Sequence, residues 1–253
     1  MEPAGRHALV TGGGRGIGAA IAVALTAAGA VVTVLGRNPA PLRQSVAAGH
    51  AAGYVEADVT DPAALQAAIA AAEAARGPIA ILVNNAGAAE SGPFARLDRA
   101  GWDRMIAINL TAVFEATHAV LPGLVASGWG RVVTIASTAG LTGYPYVAAY
   151  VAAKHGVIGL TRALALEVAK SGVTVNAVCP GYTDTELLRH SVQKIIDKTG
   201  RTREQAEAGF TAGNPQGRLV TPAQVAAAVL FLCGPGSEAM TGQAIAVAGG
   251  EVM

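Results

Sequence analysis

Tyr150 and Lys154 place a phenol and an ammonium four residues apart in the run Tyr150-Val151-Ala152-Ala153-Lys154, and Ser137 lies thirteen residues upstream. On a helix, positions i and i+4 share a face, so the two groups meet if this stretch is helical. A fixed cation beside a phenol favours phenolate and lowers its pKa. A tyrosine shifted from about 10 toward 7 can exchange protons at neutral pH. Carbonyl reduction and alcohol oxidation both need such a group. The same spacing also fits an ordinary helix with a surface Tyr and Lys, so the rest of the chain must decide.

A second feature lies near the start. Thr11-Gly12-Gly13-Gly14-Arg15-Gly16-Ile17-Gly18 sits between an apolar run, His7–Thr11, and an Ala-rich segment that predicts a helix over 17–28. Glycines allow a tight turn and let backbone approach a pyrophosphate, while a helix N-terminus supplies free N–H groups and partial positive charge. A turn of purely structural purpose is the competing reading.

The 253 residues suit a single α/β domain, and 52% hydrophobic against 14% charged residues provides for a sizeable core. A net charge of +1 makes no electrostatic case for nucleic acid or an anionic membrane. No apolar run of about 18 residues is free of glycines and charges, so no membrane-spanning helix is expected. Residues 1–7 lack a signal-peptide layout. Cys179 and Cys233 form no CxxC pair and read as buried thiols of a cytoplasmic protein. The five histidines are scattered, which suggests no metal site.

Short β-branched runs alternate with Ala-rich helical stretches along the whole chain. Strands are predicted at His7–Thr11, 31–35, 54–57, Ile79–Asn84, 131–136, 173–179 and Ala244–Val247. Between them helices are predicted over 17–28, 39–48, 62–75, 99–127, 147–170 and 222–232. Thr60-Asp61-Pro62 is a strong helix start, a capping oxygen followed by Pro in the first turn. Continuously apolar strands belong in a parallel sheet covered on both faces, so the pattern predicts one doubly wound, seven-stranded Rossmann fold. The segment 186–217 breaks the rhythm with many charges and few apolar anchors. It reads as a lid or binding loop, or as a solvated helical insertion.

The glycine spacing is Gly-x-x-x-Gly-x-Gly from Gly12, not Gly-x-Gly-x-x-Gly. With Ser137, Tyr150 and Lys154, this makes the chain resemble the short-chain dehydrogenase/reductase family, in its branch of about 250 residues. Asp58-Val59, Asn84-Asn85-Ala86-Gly87, Asn109, Pro180-Gly181 and Gly249-Gly250 extend the resemblance over nearly the entire chain.

The resemblance implies hydride transfer between a nicotinamide cofactor and a carbonyl or alcohol carbon. Tyr150 would protonate the carbonyl oxygen as general acid, Lys154 would lower its pKa and hold the nicotinamide ribose, and Ser137 would orient the substrate oxygen. Asn109 would hold a water linking Lys154 to solvent; from its residue type alone it reads as a structural polar group. Gly12, Gly14, Arg15, Gly16, Ile17 and Gly18 would form the pyrophosphate loop. Asp58 would accept from the adenine amino group beside the Val59 N–H, or cap the helix next to Thr60 and Asp61. Asn85, Ala86 and Gly87 would border the cofactor at the crevice, and Pro180, Gly181, Thr183 and Thr185 would reach the nicotinamide carboxamide.

The second strand ends in Leu35-Gly36-Arg37-Asn38, without the carboxylate that selects NAD. Arg37 could bind a 2′-phosphate from one side and Arg15 from the other, with Asn38 adjacent, so NADP(H) is expected over NAD(H). Stacking of Arg37 on adenine, or its solvation, is the alternative. Leu141, Tyr144 and Tyr146 should border the carbonyl site as an apolar wall, with Tyr144 touching substrate. The lid adds Leu187, Leu188, Ile195, Ile196 and Phe210. The overall run, including Asn214-Pro215-Gln216-Gly217-Arg218, looks most like 3-oxoacyl-thioester and polyketide ketoreductases.

The expected function is therefore NADPH-dependent reduction of a ketone. The alternatives are a dehydrogenase of a secondary alcohol, steroid or sugar, and a nicotinamide-sensing regulator without catalysis. The two long Ala-rich helices carry more apolar surface than one sheet face needs, and relatives pair such helices across subunit axes, so a homotetramer is expected, with a dimer as the fallback.

Overall fold

A computed structural model describes residues 3–252, apart from the Leu187 side chain. Seven strands form a single parallel sheet: β1 (His7–Thr11), β2 (Val31–Gly36), β3 (Gly53–Glu56), β4 (Ile79–Asn84), β5 (Gly130–Ile135), β6 (Val173–Pro180) and β7 (Ala244–Val247). Their order is β3-β2-β1-β4-β5-β6-β7. The chain winds outward from β1 in one direction and then, from β4, in the other. The crevice beyond the carboxyl ends of β1 and β4 is thus the switch point where such sheets bind ligands.

Strand side chains alternate between two covered faces, which is why the central runs, such as 79–83, are mostly apolar. Ala8, Val10, Val32, Val34 and Val83 face α1 (Gly16–Ala27) and α9 (Pro222–Cys233), meeting Ile21, Leu25, Val229 and Leu232. Leu9, Leu35, Leu82 and Val132 face the other way, onto Leu65 and Ile69 of α3 (Pro62–Arg76) and Val120 and Leu124 of α5 (Ala112–Ser127). α2 (Pro39–Ala47) joins β2 to β3, and α6 (Ala148–Glu167) precedes β6. Helix starts follow their capping signals: Asp61 accepts from Ala63 and Ala64 N–H, with Pro62 behind it.

The helix expected over 99–127 runs through that span but changes hand-hold midway. α4 (Arg99–Ile106) passes into a π-helical turn (Ala107–Thr111) and then into α5. By length and composition the 29-residue run Arg99–Ser127 could cross a membrane, contrary to expectation. Here it packs on β4, β5 and α3, and its first turns carry Arg99, Asp103 and Arg104. Its apolarity serves the sheet on one side and leaves Phe114 and Val125 exposed on the other.

The segment 186–217 is helical, with α7 (Glu186–Thr199) and α8 (Arg203–Thr211). Leu188, Val192 and Ala206 give it a small core of its own, joined by Ile195, Ile196 and Phe210.

Candidate active site

Ser137 follows β5 and starts the short turn Thr138–Gly140, its Oγ accepting from Ala139 N–H at 3.1 Å. Tyr150 and Lys154 lie one turn apart on α6, as their spacing requires. The Ser137 hydroxyl faces the Tyr150 phenol closely enough to lower its pKa. Lys154 is buried, with its Nζ donating to the Ile135 carbonyl at 2.9 Å and standing 5.6 Å from the Tyr150 ring centroid. Close packing holds this pair against the strand end: a Cβ at Gly140 would come within 2.8 Å of the Lys154 carbonyl.

The electrostatics differ from the expectation. Tyr150 is half-buried, and desolvation pushes its pKa up; the Ser137 hydroxyl offsets this only in part. Burial instead brings Lys154 down to about 8. Both shifts follow from removing a charged form from water. The spacing of the two residues could not reveal how deeply they lie.

The glycine loop follows the end of β1, two strands from β5 in the same sheet. Gly12 has a positive φ of 64°, and a Cβ at Gly18 would run into the Gly12 carbonyl and Asn85 Nδ2, so the turn requires glycine at both positions. Asn85 Nδ2 donates to the carbonyls of Thr11 and Gly12, and the Asn85 and Ala86 N–H groups share Thr11 Oγ1. These bonds lock the 85–87 segment to the glycine turn. The first turn of α1, at Gly16, Ile17 and Gly18, points its N–H groups out of the helix end. Gly14 packs on Pro41 and Leu42. Thr185 lies against Gly16, so the entry to the lid touches the loop.

Asn109 sits on the π-helical turn, fully buried. Its Oδ1 accepts from Ala88 N–H at 3.3 Å, and its Nδ2 donates to the Ala88 and Met105 carbonyls at 2.8 and 3.1 Å. A Cβ at Gly87 would come 2.8 Å from its Oδ1. The side chain is thus a clamp between the long helix and the loop after β4.

Several expected cofactor residues have structural duties. Asn38 caps α2, its Oδ1 accepting from Ala40 N–H at 3.1 Å, a bond that does not use its Nδ2 donors. Thr185 caps α7, and Thr183 Oγ1 donates to the Gly181 carbonyl at 3.0 Å. Asp58 accepts from the N–H and hydroxyl of Thr60 at 2.9 and 2.7 Å and pairs with Arg37 at 3.5 Å, while Val59 is buried. Arg15 pairs with Glu186 at 3.7 Å. Both arginines are largely exposed, and such pairs exchange readily for a phosphate. The glycine cradle, the helix end and these arginines fit a dinucleotide.

The wall expected to be apolar is partly polar. Tyr144 hydrogen-bonds Glu251 at 2.5 Å and Thr138 at 2.9 Å, and burial with the Glu251 contact raises its pKa to about 12. Tyr146 is exposed, with a φ of 68°. Glu251 and Tyr182 were not foreseen, because Glu251 lies 107 residues from Tyr144 in sequence and no motif marks it.

Comparison with known proteins agrees with this geometry. Residues 6–195 match the family model described as short chain dehydrogenase. This chain belongs to the short-chain dehydrogenase family. It is 42% identical to a Streptomyces coelicolor protein named as a ketoacyl reductase, across 96% of this chain and 95% of that one. It is 39% identical to D-beta-hydroxybutyrate dehydrogenase of Cupriavidus necator, with 98% of each covered. A solved single-residue variant of actinorhodin polyketide ketoreductase with NADPH superposes with a TM-score of 0.92 at 40% identity, covering 97% of both chains. Membership makes the chain an oxidoreductase, and the seven-stranded sheet with flanking helices is the fold of its short-chain dehydrogenase relatives.

Proposed function

We propose that the protein reduces a ketone, of the 3-oxoacyl thioester type, to a secondary alcohol with NADPH. The observation that carries this reading is the meeting of Ser137 and Tyr150 beside buried Lys154, at the carboxyl end of β5 in the same parallel sheet whose β1 leads into the glycine loop. The ketoacyl and polyketide ketoreductase relatives support the substrate class, and the NADPH of one solved relative supports the cofactor. The absence of a carboxylate at the end of β2, with Arg37 and Arg15 exposed, supports NADPH from this chain's own residues.

When bound, the nicotinamide supplies a hydride for the carbonyl carbon. Gly12, Gly14, Arg15, Gly16, Ile17 and Gly18 would cradle the pyrophosphate. Asp58, Val59, Arg37, Asn85, Ala86 and Gly87 would border the adenosine half and the crevice. Pro180, Gly181, Thr183 and Thr185 would border the nicotinamide half, and Lys154 its ribose. Ser137 holds the substrate oxygen within reach of Tyr150, which donates its proton as that oxygen gains negative charge. A raised Tyr150 pKa suits this direction, because the group arrives protonated. Asn109 keeps the loop after β4 in place, and we assign the proton route from Lys154 to solvent to the same turn.

Two buried free thiols suit a cytoplasmic setting. The working assembly is a homotetramer.

A turnover screen tests the function: NADPH and NADH against acetoacetyl-CoA, other 3-oxoacyl thioesters, cyclic ketones and secondary alcohols. Faster consumption of NADPH with the oxoacyl thioesters than with any other member is the expected result. Turnover confined to alcohol oxidation with NAD would replace this reading with that of a dehydrogenase.

A further inference from the structure

The group of side chains around Tyr144 does not enter the proton transfer. Tyr144 bridges Thr138, the neighbour of Ser137, and Glu251, from the far end of the chain. The phenol has one proton, which goes to the carboxylate as the stronger acceptor, and the Thr138 hydroxyl donates to the phenol oxygen in turn. Glu251 is half-buried, and its Oε2 lies 2.6 Å from where a Cβ on Gly181 would stand. The carboxylate therefore sits over the turn that ends β6, with Gly213 from the lid segment on its other side. Tyr182 stacks edge-on to Tyr144 with centroids 6.4 Å apart, and Phe210 of α8 edge-on to Tyr182 at 5.0 Å. Tyr182 is close enough to both ends to act electrostatically on Tyr150 and to be acted on by Glu251. None of the ion pairs among the described residues uses Glu251, so no cation there cancels its charge.

We propose that Glu251 is a specificity-determining residue: its carboxylate, aimed by Tyr144 over the Gly181 turn, excludes ketones bearing a free carboxylate and admits their uncharged esters and thioesters. A second carboxylate beside it would be a like charge in a half-buried, aromatic-walled space. An ester or thioester carbonyl brings no charge and can approach the aromatic edges. The inference rests on ketone reduction at Ser137 and Tyr150, since it names which ketones reach them.

Acetoacetate and ethyl acetoacetate share the ketone and its carbon skeleton. At this end the acid carries a charge and the ester a neutral ethyl group, so the change in their ratio between the unaltered protein and Glu251→Gln isolates the charge. The test compares kcat/KM for the two with NADPH, in the unaltered protein and in Glu251→Gln, and measures calorimetric binding of both to the protein with NADP+. The expected result is a strong preference for the ester that falls about tenfold or more in Glu251→Gln. A merely structural role would lower both substrates together and leave their ratio fixed, which would overturn the proposal. So would equal use of acid and ester by the unaltered protein, although ketone reduction would then stand. Binding of the ester over the acid, lost in Glu251→Gln but without turnover of either, would support the role of Glu251 and refute the reductase reading. Neither binding nor turnover of either ketone would overturn both. Tyr144→Phe, which frees the carboxylate from its tether, should give a preference between those of the other two proteins; an unchanged preference would show that the carboxylate needs no aiming, against the proposal.

Discussion

Lys154 lies in a place where charge is costly, and its pKa near 8 has consequences on both sides of that value. In the unfolded chain a lysine keeps its proton to about 10.4. Between those values the unfolded state binds more protons than the folded one, so stability rises with pH through that window. Below it the folded state carries the full cost of the buried ammonium. The role proposed for Lys154 runs the other way, because holding the nicotinamide ribose would need the cation. The second-order rate for NADPH, kcat/KM, should therefore fall above about pH 8. In Lys154→Arg, which stays charged, that limb should move out of the measurable range. A profile flat to pH 9.5 in the unaltered protein would count against the assignment. Tyr150→Phe tests the other half: turnover should drop by about 10²–10⁴ while NADPH titration by fluorescence stays close to unaltered. Comparable turnover would remove Tyr150 as proton donor. The meeting of these residues was legible in their spacing. The direction of their pKa shifts was not, because it depends on depth.

The strands were legible because both sheet faces are covered, so the central ones read as largely apolar, β-branched runs such as 79–83. The helix starts were legible at Asp61-Pro62 for the same kind of local reason. The π-helical turn at Ala107–Thr111 was not, since Ala, Ile, Asn, Leu and Thr there differ little from ordinary helical sequence. What it buys is the inward Asn109, whose amide closes three bonds to Ala88 and Met105. Asn109→Ala would leave those buried groups without partners at a cost of about 2 kcal/mol. The melting temperature should then fall by about 4–8 °C, read by calorimetry, with NADPH affinity reduced as the 85–88 segment loosens. An unshifted melting point would mean that the clamp is dispensable. The pairing of Glu251 with Tyr144 was invisible for a different reason: it joins the chain's last turn to the loop before α6, and nothing local to either end requires it.

At the scale of the whole molecule, two surfaces matter. The proposed adenosine end has Arg37 in an exposed pair with Asp58, a contact that a 2′-phosphate would replace with a doubly charged one. Arg37→Asp should weaken NADPH by about 10- to 100-fold and spare NADH, measured as the ratio of dissociation constants; an unchanged ratio would overturn the cofactor preference. The second surface is the outward side of α5 and α6. Phe114 is 46% exposed, Val125 42% and Leu166 81%, on helices whose inner faces already satisfy the sheet. Isolated apolar residues on a surface need no explanation, but these lie on the two longest apolar helices of the fold, where a second copy can cover them by a symmetric contact. In a symmetric contact every substitution is present on both copies, so one change buries two charges. Phe114→Glu and Leu166→Glu together should therefore split the assembly. Light scattering at micromolar concentration should give four times the mass of one chain before the change and a smaller species after it. The far-ultraviolet circular dichroism should be retained, because neither side chain contributes to the sheet-facing core. A monomer before the change would refute the tetramer.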